Sequence, residues 1–281
     1  MINNLIEKES NFYIRIPKDW LWILDELSTQ LGIPVVNLKI TLMKIKLDDQ
    51  FKRLGHQFGQ CTSNTARIFR RTVPKLAALL KTFLFFPTRK QVKILLPIPF
   101  RMNFSKVYAI IDCFEIQIEK PSNALHQALT WSAYKNCNTI KYLLCITPDG
   151  LVLFVSPGYE GRISDILLFE ICGIMENLPE DCWLMADRGF KGIATILNKK
   201  NITLVRPPSV ESDVKPSKAE VFLTKRIASV RIHVERSVRR FREFSMLVPH
   251  STLHHSSIAF IDEIIHIASG LINIQHPLIK T

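Results

Sequence analysis

Three acidic residues stand where a carboxylate is either costly or conspicuous. Asp112 lies inside the apolar run Val107-Tyr-Ala-Ile-Ile-Asp-Cys-Phe-Glu-Ile116, Asp187 closes Trp183-Leu-Met-Ala-Asp187 just before Arg188-Gly189-Phe190, and Glu235 lies in a stretch of helical periodicity. A carboxylate within an apolar strand is strongly destabilising unless it is paired or metal-bound. Asp112 therefore calls for a partner, and metal ions would supply one. Carboxylates from two adjacent strands and one helix can converge on two Mg²⁺ or Mn²⁺ ions about 3.5–4 Å apart, one activating an attacking water or hydroxyl and the other stabilising a leaving 3′ oxygen. Oxygen ligands select such hard cations over zinc. Each acid also has a plainer reading. Glu235 is four residues from both Arg231 and Arg239 on one helix face, and Asp187 before Arg-Gly suits a turn.

The elements that must position these acids follow from the pattern around them. Val107 to Ile116 reads as a strand, Ala128 to Lys135 as a second, Thr139 to Thr147 as a third, and Leu151 to Ser156 as a fourth after the Pro148-Asp149-Gly150 turn. Three of these are close enough in sequence for an antiparallel meander. Ser164 is a candidate N-cap for a helix carrying Ile166, Leu167, Phe169 and Ile171. Trp183 to Asp187 is another strand, followed by a helix over Gly192 to Lys200 and a strand over Ile202 to Val205. A long helix begins near Ser217 with Ile227, Val230, Val234, Val238 and Phe241 on one stripe, and Ile258 to Ile274 is a last packing helix. A meander followed by alternating helix and strand predicts an α/β, ribonuclease-H-like mixed sheet flanked by helices.

The preceding part of the chain is helical in pattern. Ile16 to Leu31 reads as one amphipathic helix ended by Gly32 and Pro34, and Val36 to Leu47 as a second. Asp49 to Gly59, a short turn, and a basic helix from Thr62 towards Leu80 have the order of a helix-turn-helix, whose second helix enters the DNA major groove. Its groove-facing candidates are Ser63, Asn64, Arg67 and Arg71, with Ala66, Ile68 and Phe69 as packing positions. An ordinary helical hairpin with a solvated basic face fits the same pattern. Gln60 and Thr65 stand where such a motif usually carries apolar residues. Between Phe86 and Lys106 the prolines at 87, 97 and 99 suggest a linker. The expected organisation is a helical region over 1–86 (helix-turn-helix about 36–80), a linker over 87–106 and the α/β domain over 107–281.

Charge placement points to a polyanion. The chain carries +12 overall. From Lys39 to Lys106 there are 15 Lys/Arg against two acids, a balance of +13, and Val214 to Met246 carries nine against three, or +6. The remainder is mildly acidic, a pattern that suits a phosphate-bearing partner as well as a merely soluble basic protein. The composition, 47% hydrophobic and 22% charged, is that of a globular chain. Six cysteines without a CxxC pair predict reduced, mostly buried thiols and neither a disulfide framework nor structural zinc. With no signal core and no apolar run of membrane-spanning length, the expectation is a soluble intracellular protein without a membrane partner.

Five blocks, Asp112-Cys-Phe-Glu-Ile116, Thr130-Trp-Ser-Ala-Tyr-Lys135, Gly161-Arg-Ile-Ser-Asp165, Ala186-Asp-Arg-Gly-Phe190 and Arg231-Ile-His-Val-Glu-Arg236, resemble in order and spacing the signature blocks of DDE superfamily endonucleases, the Harbinger-like transposases and their domesticated relatives. Leu38 to Leu80 resembles the helix-turn-helix that precedes the nuclease in that family. The resemblance implies a ribonuclease-H-like fold, cleavage and strand transfer at phosphodiester bonds with two divalent ions (Mg²⁺ or Mn²⁺), double-stranded DNA (transposon ends) as partner, a homo-oligomer that joins two ends, and a nuclear site of action. It assigns catalysis and metal binding to Asp112, Asp187 and Glu235, a supporting role to Asp165, and phosphate contacts to Lys135, Arg162, Arg188, Arg231 and Arg236. Departures are Ile166, where the family often has lysine, and the polar Gln60 and Thr65. The zinc-binding domain that family members often carry upstream has no counterpart here. A domesticated DNA-binding or interaction protein that no longer cuts is the alternative these departures leave open.

Overall fold

The computed structural model describes residues 2–208, 217–248 and 251–276, without the side chains of Ala219, Leu223, Arg231 and His255. In chain order, helices α1 (Ile2–Lys8), α2 (Ser10–Tyr13), α3 (Ile23–Leu31), α4 (Val35–Leu47), α5 (Phe51–Phe58), α6 (Thr62–Lys81), α7 (Arg89–Ile94) and α8 (Ile98–Asn103) lead into strand β1 (Val107–Gln117). There follow α9 (Ala124–Thr130), β2 (Trp131–Ser132), β3 (Cys137–Ile146), β4 (Val152–Val155), β5 (Tyr159–Glu160), α10 (Asp165–Ile171), α11 (Ile174–Asn177), β6 (Trp183–Met185), α12 (Ala194–Leu197) and β7 (Thr203–Val205). The long helix α13 (Lys218–Phe241), α14 (His255–Ile258) and α15 (Ile261–Asn273) complete the described elements. They fall into two compact units, one of Met1–Leu84, Ile116–Glu119 and Arg240–His276, the other centred on Phe85–Glu115 and Lys120–Arg239.

The first unit is helical and organised around α6. Phe69, Val73, Leu76, Ala77 and Leu80 are buried along one stripe of that helix, and α15, α4 and α5 pack against it. α4 is buried nearly all round, through Leu38, Ile40, Leu42, Met43 and Ile45, as an apolar helix enclosed by neighbours must be. The turn between α5 and α6 is tight enough that a Cβ on Gly55 would lie 2.5 Å from the Gln60 carbonyl oxygen. Thr65, polar at an expected apolar position, is fully buried, and its Oγ1 donates to the Cys61 carbonyl at 3.0 Å. The hydroxyl is thereby satisfied within its own helix turn.

The second unit holds a mixed sheet. Its hydrogen-bonded order is β2–β3–β1–β6–β7, with β4 and β5 also pairing with β3. β1, β6 and β7 are parallel, while β2, β4 and β5 run antiparallel to β3. One face of the sheet (Ala109, Ile111, Leu143, Cys145, Leu184, Ala186) packs on Leu168 and Phe169 of α10 and on Phe190, Ile193 and Leu197 beyond β6. This is a mixed α/β architecture flanked by helices, as the pattern predicts. α13 buries Ile227, Val230, Val234, Val238 and Phe241, the stripe expected from sequence.

Several element expectations are corrected. Residues 128–135 are not one strand: Asn123 Oδ1 accepts from the Leu125 and His126 amides at 2.9 and 3.2 Å, and this cap starts α9, leaving β2 two residues long. Ile16 to Leu31 divides into a 3-10 turn (Lys18–Trp20) and α3. The helix expected over 192–200 is α12 between two 3-10 segments, the first capped by Asp187, which accepts from the Arg188 amide. Residues 87–106 contain α7, opened by a Thr88/Gln91 capping box, and α8, with Val92, Leu96 and Phe100 buried. The thiols are free, with Cys145, Cys172 and Cys182 buried, Cys113 and Cys137 half-buried and Cys61 exposed. No described helix is long and apolar enough to cross a membrane.

Candidate active site

Parallel pairing of β1 with β6 sets Ile110 opposite Met185. Asp112 lies two residues beyond Ile110 and Asp187 two beyond Met185. Asp112 thus lies within β1, and Asp187 just past the end of β6, where it caps the 3-10 segment that follows. Both are half-buried. Asp112 Oδ1 accepts from the Cys113 amide at 2.9 Å, and Asp187 Oδ1 from the Arg188 amide at 2.6 Å. Each carboxylate thus accepts from the amide that follows it.

Successive side chains on a strand face opposite ways. Cys113 and Glu115 therefore point to the face opposite Asp112, towards α10. There a charged cluster forms beneath the strand. Lys141 Nζ lies 3.2 Å from Asp165 Oδ1 and 3.7 Å from Glu115 Oε1, and donates to the Ile163 carbonyl at 2.8 Å. The side chains of Lys141 and Glu115 are only 12% and 7% exposed, and Thr139 Oγ1 donates to Glu115 Oε2 at 2.8 Å. Burial pushes the Cys113 thiol well above its ordinary range, the Asp165 and Asp112 carboxylates push it further, and it shares a hydrogen bond with Asp165. This sulfur stays a neutral thiol and is no nucleophile.

Asp165 is the junction of this cluster. It opens α10 behind the Ser164 cap, whose side chain accepts from the Leu167 amide. A Cβ on Gly189 would lie 3.1 Å from Asp165 Oδ2, so its carboxylate abuts the turn that follows Asp187 as well as the strand that carries Asp112. Sequence reasoning does not single out Lys141 or Glu115. A lysine within the apolar strand Cys137–Ile146 is the signal that could have found them, because a buried ammonium needs a carboxylate nearby.

Glu235 sits on the exposed side of α13, one residue past the buried His233–Val234 pair, and no ion pair joins it to another described side chain. Among the described residues, no three His, Cys, Asp or Glu side chains group closely enough to share one metal ion. The donor set is carboxylate oxygen throughout, the chemistry that suits Mg²⁺ or Mn²⁺. Of the three expected ligands, Asp112 lies on β1, Asp187 just beyond the end of β6 and Glu235 on α13.

Arg162, Arg188 and Arg236 are exposed, Lys135 is exposed with Nζ 4.6 Å from the Tyr134 ring centroid, and the Arg231 side chain lies outside those described. On α6, Ser63, Arg67 and Arg71 are exposed and Asn64 is half-buried, its Nδ2 donating to Gln60 Oε1 at 2.7 Å.

Searches of curated proteins and of solved structures returned no match. Residues 111–273, more than half of the chain and including all three acids, match the profile described as DDE superfamily endonuclease. The chain belongs to the DDE superfamily of endonucleases.

Proposed function

We propose that the chain is a transposase-type endonuclease of the Harbinger-like kind that cleaves phosphodiester bonds in double-stranded DNA. The observation that carries this reading is that Asp112 on β1 and Asp187 just past β6 each follow by two residues the Ile110–Met185 pair of these parallel strands. Asp112, Asp187 and Glu235 would hold Mg²⁺ or Mn²⁺, which when bound activates the attacking oxygen and stabilises the leaving one. The protein's part is positional. Backbone amides at Cys113 and Arg188 hold the two aspartates in place, and Asp165 ties β1 and the turn after Asp187 to α10. Lys135, Arg162, Arg188, Arg231 and Arg236 would contact phosphates. Two DNA ends held together imply a homo-oligomer, and the substrate implies work in the nucleus.

Labelled duplex DNA incubated with the full chain and Mg²⁺ or Mn²⁺ tests the reading, with Asp112→Asn as the control. Cleavage by the wild type and binding without cleavage by the variant are expected. The polar Gln60 and Thr65, where a helix-turn-helix usually carries apolar residues, favour a second reading, a domesticated DNA-binding protein that does not cut. Binding with no cleavage by the wild type under any of these ions would establish it.

A further inference from the structure

The α5–α6 helical hairpin borders a concave surface that the strand-end acids do not use. A pocket of about 370 Å³ is lined on one side by Asn64, Arg67, Arg71 and Lys75 of α6, and on the other by the Gly32–Pro34 turn and Asn37 in the first turn of α4. Arg67, Arg71 and Lys75 follow one another at four-residue steps, so they share a stripe of α6 about 6 Å apart along its axis. All three are exposed, and among the described residues no carboxylate pairs with any of them. α6 carries no acidic residue along its whole length. Like charges at this spacing repel and destabilise a helix. A bound anion would remove that cost.

The lining selects the anion. No acid contributes to the pocket wall. Two guanidinium groups offer the paired donors that match phosphate oxygens, and the N-terminal end of the 13-residue α4 adds the positive end of its dipole. The volume is well beyond a single phosphate ion and within the range of small-ligand sites. Ile33, Pro34 and Ile68 supply apolar wall against which a sugar ring can lie. The Gly32–Pro34 turn walls in the same stripe of α6, whereas a helix that reads base edges must present its stripe freely to a groove.

We infer that this pocket seats the sugar-phosphate backbone of a nucleic acid, with Arg67, Arg71 and Lys75 as phosphate ligands and Asn37 and Asn64 as neutral donors. The site is sequence-independent. It rests on the reading of DNA as the substrate and adds residues, a ligand class and a binding mode to it.

The test is anisotropy binding of the full chain in EDTA, where cleavage plays no part, to two unrelated duplexes of equal length across a salt series. In the Arg67→Gln, Arg71→Gln, Lys75→Gln triple variant, affinity should fall about tenfold or more for both duplexes alike. The log–log salt slope should flatten by roughly 0.9 for each phosphate that the variant no longer neutralises. Unchanged affinity and slope in the triple variant overturn the inference, as does a weakening confined to one duplex, which marks base reading. Displacement of DNA by inorganic phosphate at matched charge would make the pocket a free-phosphate site, and displacement by polyglutamate would make it a surface for acidic proteins. Either result overturns it. Because the assay is metal-free, a chain that binds this way but never cuts refutes only the nuclease reading.

Discussion

Asp112 and Asp187 each stand two residues beyond the Ile110–Met185 pair that aligns β1 with β6. The register of two short runs of apolar residues thus relates two acids 75 positions apart in the chain. Aspartate-to-asparagine changes keep the shape and remove the charge. Asp112→Asn and Asp187→Asn should each lower DNA cleavage by at least about a hundredfold while leaving DNA affinity in EDTA within about twofold. Cleavage rates and anisotropy on the same preparations check both halves of the expectation.

Lys141 holds two carboxylates and a backbone carbonyl beneath that strand pair. Removing one member of a buried ionic group leaves the others uncompensated, at a cost of about 3–5 kcal/mol. Lys141→Met should fall near the lower end of that range, since Asp165 retains 33% side-chain exposure. Adding Glu115→Gln should restore part of the stability. Urea denaturation of the single and double variants measures both, and additive effects would show that the pair is not coupled.

Gly161 opens the Gly-Arg-Ile-Ser-Asp block for a steric reason. A Cβ there would collide with Thr139 Oγ1 and come within 2.8 Å of the Thr130 carbonyl oxygen and 2.9 Å of that of Thr139. Gly161→Ala should therefore destabilise the chain by about 1–3 kcal/mol and reduce cleavage by displacing Asp165. A thermal melt indistinguishable from wild type would contradict this packing role.

The pH dependence of stability should carry a histidine signature. Burial lowers the proton affinity of both His233 and His266 in the folded chain, and His233 Nδ1 is buried without a hydrogen-bond partner. In the unfolded chain these rings titrate near pH 6.5. Below that value the unfolded state binds the extra protons, so the stabilisation present at pH 7 and above is lost progressively as pH falls from about 7 towards 5. His233→Gln should flatten that slope in melts recorded across the range. A slope unchanged by the substitution would place the titrating group elsewhere.

The sheet is legible in the sequence because its strands are written in apolar residues, with Asp112 inside one and Asp187 two residues past another, and α13 because its stripe repeats at helical spacing. The failures share a cause, which is local capping against a weaker pattern. Asn123 begins α9 where alternation suggests a strand, and Thr88 with Gln91 begins α7 where prolines suggest a linker. Lys141 stands out locally as a lysine in an apolar strand, but its partner Glu115 does not, because the ion pair depends on the pairing of β1 with β3. The pocket beside α6 depends likewise on the Gly32–Pro34 turn reaching across to Arg67 and Arg71, a relation between segments far apart in sequence.

Mn²⁺ binding, followed by electron paramagnetic resonance on the full chain with duplex DNA present, tests most directly whether the strand-end aspartates hold a hard cation. The wild type should bind Mn²⁺, Asp112→Asn and Asp187→Asn should each abolish the high-affinity signal, and Glu235→Gln should weaken it. Equal binding by the wild type and both aspartate variants, or none by the wild type, would contradict the assignment.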